Sequence, residues 1–314
     1  MTTKSPRAIP LHKAVTLSLG ELGGVIVSEY QLAVLLFRLH CDRIFRGQPL
    51  EVKKDLAERR DTSSVIARLL SEGILEPYQA IAHPQTYLLL GRNSQSPPEI
   101  VCSVDPFCYI SHLSAMEHHG LTDRVTPLLN ITRPAPKDWT RFAGERVRKD
   151  YGDMFVRAMQ QRFPTLTRSK FDKRIADRTI VEVNSVHMGA YRTFKDNPLR
   201  VATLGRTYLD MLRRPDLCGG IHHVLDIFTQ SGKSNLLSIV DEVERHGTAI
   251  EKIRAGYILE ERCQLTNPIF GEWAKHVTRG GSRKLDPQAD YSRQYSAKWS
   301  LSLNIDEPTE ASSH

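Results

Sequence analysis

Within its first 90 residues the chain spells three helix-forming patterns and then two β-prone runs, and that order restricts the available folds more than any other feature. Ser28 is a good N-cap. Behind Glu29 comes the apolar series Leu32, Val34, Leu35, Leu36, Phe37, Leu39, Ile44 and Phe45, which predicts a long, well-buried helix. Gly47-Gln-Pro49 interrupts it, and Leu50, Val52, Leu56 and Ala57 predict a short second helix whose other face carries Glu51, Lys53, Lys54, Asp55, Glu58, Arg59 and Arg60. Asp61 or Thr62 is expected to cap a third helix over residues 63 to 72, with Val65, Ile66, Leu69 and Leu70 on one face and Gly73 as its stop. Its opposite face presents Ser63, Ser64, Ala67 and Arg68. Residues 74 to 78 and 86 to 90 then read as the strands of a hairpin with a longer loop.

Three helices followed by a hairpin give the plan of a winged helix-turn-helix, in which the third helix enters the major groove and the hairpin loop reaches the adjacent backbone or minor groove. A reading helix needs short polar side chains in its first turn so that its backbone can approach base edges, and Thr62, Ser63 and Ser64 supply them. Arg68, one turn on, reaches a base edge or a phosphate. Lys53, Lys54, Arg59 and Arg60 are the expected phosphate contacts, with His83 and Gln85 at the tip of the wing. The same fold also serves as a protein-protein module, and charged helix faces are usually only solvated.

The expected fold class is therefore α/β in the broad α+β sense: an N-terminal winged helix-turn-helix followed by a mixed α/β C-terminal domain. Gly91-Arg-Asn-Ser-Gln-Ser-Pro-Pro98 opposes regular structure, which places a DNA-binding domain at 1–92, a linker at 93–99, a second domain at 100–306 and a polar tail at 307–314. In the second domain Ser111 begins a helix that runs through His119 to Gly120, residues 128 to 132, 180 to 183 and 200 to 202 read as strands, and Thr203 opens a helix through Leu212. Residues 221 to 263 are mainly helical and 299 to 304 a last strand. The stretch from Pro134 to Ala176 reads as irregular strands and loops.

Charge is unevenly spread. The formal net charge is +7, and Arg133 to Arg178 holds thirteen Lys or Arg against six Asp or Glu, equal to the whole excess. Arg141, Arg146, Arg148 and Lys149 form a candidate basic patch there, an alternative seat for RNA or another nucleic acid. The first 94 residues carry twelve basic against nine acidic groups, modest enough to suit a protein that gains affinity by pairing as a homodimer on an inverted repeat. Five scattered cysteines without a C-x-x-C pair read as reduced thiols of a cytoplasmic protein. Neither an apolar run of membrane-spanning length nor the apolar core of a signal peptide is present in the sequence, so no membrane is expected as a partner.

Reactive chemistry finds little support. Ser231-Gly-Lys-Ser234 resembles the end of a phosphate-binding loop, but Ile227 stands where that loop needs glycine. The histidine pairs His118-His119 and His222-His223 lack the helical spacing of metal ligands, and Asp177 with Glu182-Val-Asn184 has asparagine where a nuclease carries its lysine. The expectation is a non-enzyme with no catalytic residue, no metal and no cofactor.

Three segments resemble the AbiEi family of antitoxins, the regulatory partners in bacterial type IV toxin-antitoxin and abortive-infection systems. They are Tyr109-Ile-Ser-His-Leu-Ser-Ala-Met-Glu-His-His-Gly-Leu-Thr-Asp123, Val201-Ala-Thr-Leu-Gly-Arg-Thr-Tyr-Leu-Asp-Met-Leu-Arg-Arg-Pro-Asp-Leu-Cys-Gly-Gly220, and Leu285-Asp-Pro287 leading to Tyr295-Ser-Ala-Lys-Trp-Ser-Leu-Ser-Leu-Asn304. Residues 134 to 180 have no counterpart in the resemblance. It implies a repressor that binds repeats in its own promoter, on double-stranded DNA, through its N-terminal winged helix, and a C-terminal domain that counteracts a cognate nucleotidyltransferase-like toxin. The segments are largely apolar with Gly or Pro stops, so they are expected to mark the fold rather than a site.

Overall fold

The computed structural model describes residues 8–54, 57–91, 96–186, 188–277 and 283–305. In chain order it begins with β1 (Ile9–Pro10), α1 (Leu11–Glu21), β2 (Ile26–Ser28), α2 (Glu29–Asp42), β3 (Ile44–Phe45), β4 (Gln48–Glu51) and α3 (Arg59–Ser71). There follow β5 (Leu75–Pro77), β6 (Ile81–His83), β7 (Thr86–Leu89), α4 (Pro97–Val104), β8 (Tyr109–Ile110), α5 (His112–His118) and β9 (Leu128–Pro134). Then come α6 (Pro136–Tyr151), α7 (Phe155–Gln160), β10 (Lys170–Phe171), β11 (Arg174–Ile175), β12 (Arg178–Ser185), β13 (Tyr191–Phe194) and β14 (Asn197–Ala202). The last elements are α8 (Leu204–Arg213), α9 (Ile221–Ser231), α10 (Leu236–His246), α11 (Ala249–Gly256), α12 (Ile269–Ala274), β15 (Tyr295–Ser296) and β16 (Leu301–Ser302). Helices and sheets are mixed throughout, which is the α/β class expected.

The chain forms two compact units, neither continuous in sequence: Met1–Tyr109 with Pro127–Met188 and Thr193–Arg200, and Ile110–Thr126 with Gly189–Arg192 and Val201–His314. The expected division at 93–99 differs from this. Residues 92–95 lie outside the described residues, and Pro97 and Pro98, read as linker, instead form the first turn of α4, where proline's fixed φ and missing N–H cost nothing. The expected tail at 307–314 also lies outside them.

In the first unit, β2, β7 and β5 make an antiparallel sheet in that order, with Val27 and Pro77 both opposite Tyr87. Its core gathers Ala14, Val15 and Leu19 of α1, Leu32, Leu36 and Leu39 of α2, and Ile66 and Leu69 of α3 against Leu75, Tyr87 and Leu89. α2 has a second buried side. Tyr30, Ala33, Val34 and Phe37 pack on Trp139, Ala143, Val147 and Tyr151 of α6 and on Phe163. A helix clad on two sides keeps only a narrow polar edge, Gln31 and Arg38, which explains its near-continuous apolar series.

Several expectations fail here for local reasons. The first helix stops at Asp42, not Phe45, because Arg43 turns left-handed at φ 55°. The second helix is absent from the described part of its span. Arg46 and Gly47 both take positive φ, the two-residue turn of a hairpin that pairs Phe45 with Gln48 and Ile44 with Pro49. Leu56 lies outside the described residues. The unexpected α1 supplies the missing helix. α3 starts at Arg59, a turn earlier than read, because the Asp61 carboxylate accepts the Glu58 N–H at 2.8 Å and closes the helix start there. The stretch read as irregular contains the four turns of α6, whose buried Trp139, Ala143, Val147 and Tyr151 recur every fourth residue. Beyond it β12 runs parallel to β9 in full register from Thr179 opposite Leu128 to Ser185 opposite Pro134.

The second unit buries one large cluster in which all three resembling segments meet: Met116 and Leu121; Tyr208, Leu209, Met211 and Leu212; and Leu285, Trp299 and Leu301. Trp299 lies so close to Gly256 that any Cβ there would stand 2.1 Å from its ring. The expected strand over 299 to 304 is shorter, Leu301–Ser302, because Ser300 is left-handed at φ 44°. The helix after Ser111 and the helix capped by Thr203 fall where expected.

Candidate nucleic-acid interface

α3 buries Thr62, Ile66 and Leu69, which leaves Arg59, Arg60, Ser63, Ser64, Ala67, Arg68 and Ser71 on one exposed side. The middle of that side is small and its ends are basic. Thr62 is the correction. With the helix begun at Arg59 its hydroxyl turns inward, the residue is 2% exposed, and it belongs to the core rather than to a reading surface.

Three of the five basic groups expected at this surface are already engaged. Lys54 Nζ stands 3.0 Å from Asp61 Oδ1 and 3.6 Å from Glu58, Arg60 Nε 2.5 Å from Glu58 Oε2, and Arg68 Nε 2.8 Å from Glu72 Oε1. Burial raises the Asp61 carboxyl, but the Glu58 amide and the Lys54 ammonium outweigh it and hold it below its ordinary range. Exposed pairs of this kind are worth about 0–1 kcal/mol, so each cation is released to a stronger anion at little cost. Lys53 and Arg59 are exposed and have no ion-pair partner among the described residues.

His83 and Gln85 lie in the loop between β5 and β7, but that loop is tethered rather than free. His83 lies on β6, which pairs with β10 so that Lys170 faces His83, and the Gln85 carbonyl accepts the Glu29 N–H at 3.0 Å beside the start of α2. β5 and β7 stay paired up to the Tyr78 N–H on the Thr86 carbonyl, so residues 79–85 form the loop, and β6 within it meets β10. His83 and Gln85 also line a cleft of about 440 Å³ with Arg59, Glu29, Arg162 and Thr165. Arg162 was missed by reading along the chain, since only the fold brings it to residues 59 and 83.

The expected patch on α6 does not act as one cluster. Arg141 and Arg148 share a side, Arg146 points about 140° away from Arg141 at 100° per residue, and Lys149 lies between them, nearer Arg146. Arg146 Nε is 2.8 Å from Asp150, whose carboxylate also accepts the Tyr30 hydroxyl at 3.0 Å. Arg141 lies within 3.4 Å of both Asp138 and Glu145 and over the Phe142 ring, and Arg148 covers Phe155.

Two members of the set considered for nuclease chemistry, Glu182 and Asn184, are tied up structurally. Glu182 is held by Arg133 at 2.8 Å and Arg168 at 2.5 Å, and Asn184 by Arg168 at 2.7 Å. Among the described residues no three His, Cys, Asp or Glu side chains are grouped to hold a metal, and no helix is long and apolar enough to cross a membrane. None of the five cysteines is bridged. No protein-family model matches the sequence, and no curated relative does.

Proposed function

We propose that this chain is a cytoplasmic transcriptional repressor that binds double-stranded DNA through a winged helix-turn-helix spanning about residues 8–91, with α3 as its reading helix. The observation that carries this is the order α1, β2, α2, α3, β5, β7 with the sheet order β2-β7-β5, which leaves Ser63, Ser64, Ala67 and Arg68 outermost on the third helix. Small side chains there let the backbone approach base edges. The test is binding to the chain's own promoter against a scrambled duplex. Promoter-selective binding lost when Ser64 and Arg68 become Ala is expected; binding blind to sequence would count against it.

We further propose that it is an antitoxin autoregulating its operon against a nucleotidyltransferase-type toxin. That half rests on the AbiEi-like segments, and co-expression with a nucleotidyltransferase encoded beside it tests it by rescue of growth. A protein-protein role for the same helix is favoured by one observation, the ion-paired state of Arg60 and Arg68. No shift of any duplex at low salt would support it.

A further inference from the structure

We infer that the cleft between the first turn of α3 and the segment after α7 seats a backbone phosphate of the duplex, with Arg59 and Arg162 as its cations; this rests on the DNA-binding reading above. Both guanidiniums are exposed, line the same cleft and lack an ion-pair partner among the described residues, whereas Lys54, Arg60 and Arg68 each have one. A cation without an ion-pair partner among the described residues surrenders none of those pairs when it meets a phosphate, and this cleft holds two such cations side by side.

The rest of the lining agrees. His83 and Thr165 stand beside the two arginines, and Glu29 is the one carboxylate among the described lining residues. Lys170, exposed and also without an ion-pair partner among the described residues, faces His83 across the β6–β10 pairing and extends the basic rim. All these groups belong to the first unit, though residues 162 to 170 lie far along the chain from α3. Phosphate contact thus extends beyond the three helices and hairpin.

Arg162 occupies a telling backbone position. It follows α7 at φ 57°, with the Phe163 N–H closing the turn on Ala158 O at 3.0 Å, a place where glycine is the unstrained residue. The turn itself does not require arginine. Arg162→Gly therefore removes the cation while suiting the backbone.

The experiment titrates the full chain against a random-sequence duplex of about 20 base pairs at several salt concentrations, because phosphate contacts are counted by the slope of log affinity on log salt. Arg162→Gly is expected to melt no lower than the parent, to bind about three- to tenfold more weakly at the lowest salt, and to flatten the slope by about one. Arg162→Lys should keep the slope, as should Arg141→Ala, whose guanidinium does not line the cleft. Should Arg162→Gly unfold, Arg162→Asn, which also accepts a left-handed backbone, takes its place. A parent that binds and an Arg162→Gly variant with the same slope overturn the phosphate seat alone. A parent that binds no duplex at the lowest salt overturns the DNA-binding reading and this inference with it.

Discussion

Asp105 and Arg133 form an ion pair at 2.7 Å in which the carboxylate is fully buried and the guanidinium 2% exposed. The indole of Trp139 donates to the same carboxylate at 3.1 Å, and Arg133 also reaches Glu182 and the Ser169 carbonyl. Removing Arg133 strands the Asp105 carboxylate away from water, and removing Asp105 takes from the buried guanidinium its buried counter-charge, leaving it Glu182. Asp105→Ala and Arg133→Ala are each expected to destabilise the protein by about 3–5 kcal/mol in urea unfolding, whereas Asp105→Leu combined with Arg133→Met should cost less than either. A single variant within about 1 kcal/mol of the parent would contradict this assignment.

The outward side of α3 and its inward Thr62 should respond in opposite ways. Ser64→Glu places negative charge on the exposed side, so duplex affinity should fall at least about tenfold while stability moves by no more than about 0.5 kcal/mol. A bulky Thr62→Lys should instead lower the melting temperature, since no room or solvent waits for the ammonium. Reversed effects would mean that the helix presents its other side.

Phe37 lies 5.2 Å from the Tyr151 ring and 4.9 Å from the Phe163 ring, both edge-on. Phe37→Ala should cost about 3–5 kcal/mol. A fragment ending near residue 91 leaves Tyr30, Val34 and Phe37 without their α6 partners, and is expected to melt lower than the full chain and to self-associate in size-exclusion chromatography. A monomeric fragment of parental melting temperature would refute the shared core.

Acid should weaken the second unit. His112 is 3% exposed, accepts or donates at 2.8 Å to the Ser111 hydroxyl, and faces Asp210, Arg206, Arg214 and Asp216. Burial holds its imidazole below the ordinary 6.5, and burial likewise lowers His119 and His223. As pH falls through 6.5 the unfolded chain takes up protons that the native histidine refuses, so stability is whole above that pH and declines below it. His112→Gln should make the decline shallower in denaturation measured between about pH 7.5 and 5. An unchanged pH dependence would rule His112 out as a contributor.

What the sequence made legible was whatever carried a local signal. Ser28 and Thr203 cap the helices they were expected to cap, and Gly73 and Gly120 end theirs with positive φ. α1 carries a helical spacing of buried residues, Ala14, Val15 and Leu19, but begins after Pro10 with no side-chain cap to announce it. α6 hides because half its residues are charged and its buried line is a single file. Leu50 and Val52 fit period two as well as a helix, and only the Arg46-Gly47 turn decides between them. Of the candidate interface, the outward positions of α3 were legible from that helix's own periodicity; Arg162 and Lys170 were not, because their place beside α3 is a product of tertiary pairing.

The pairing of β6 with β10 reaches beyond charge. A hairpin loop tethered at His83 and Ile81 to a strand from much later in the chain has already given up its freedom before any partner arrives. Whatever settles against it meets a preorganised rim, and association there sheds little further entropy.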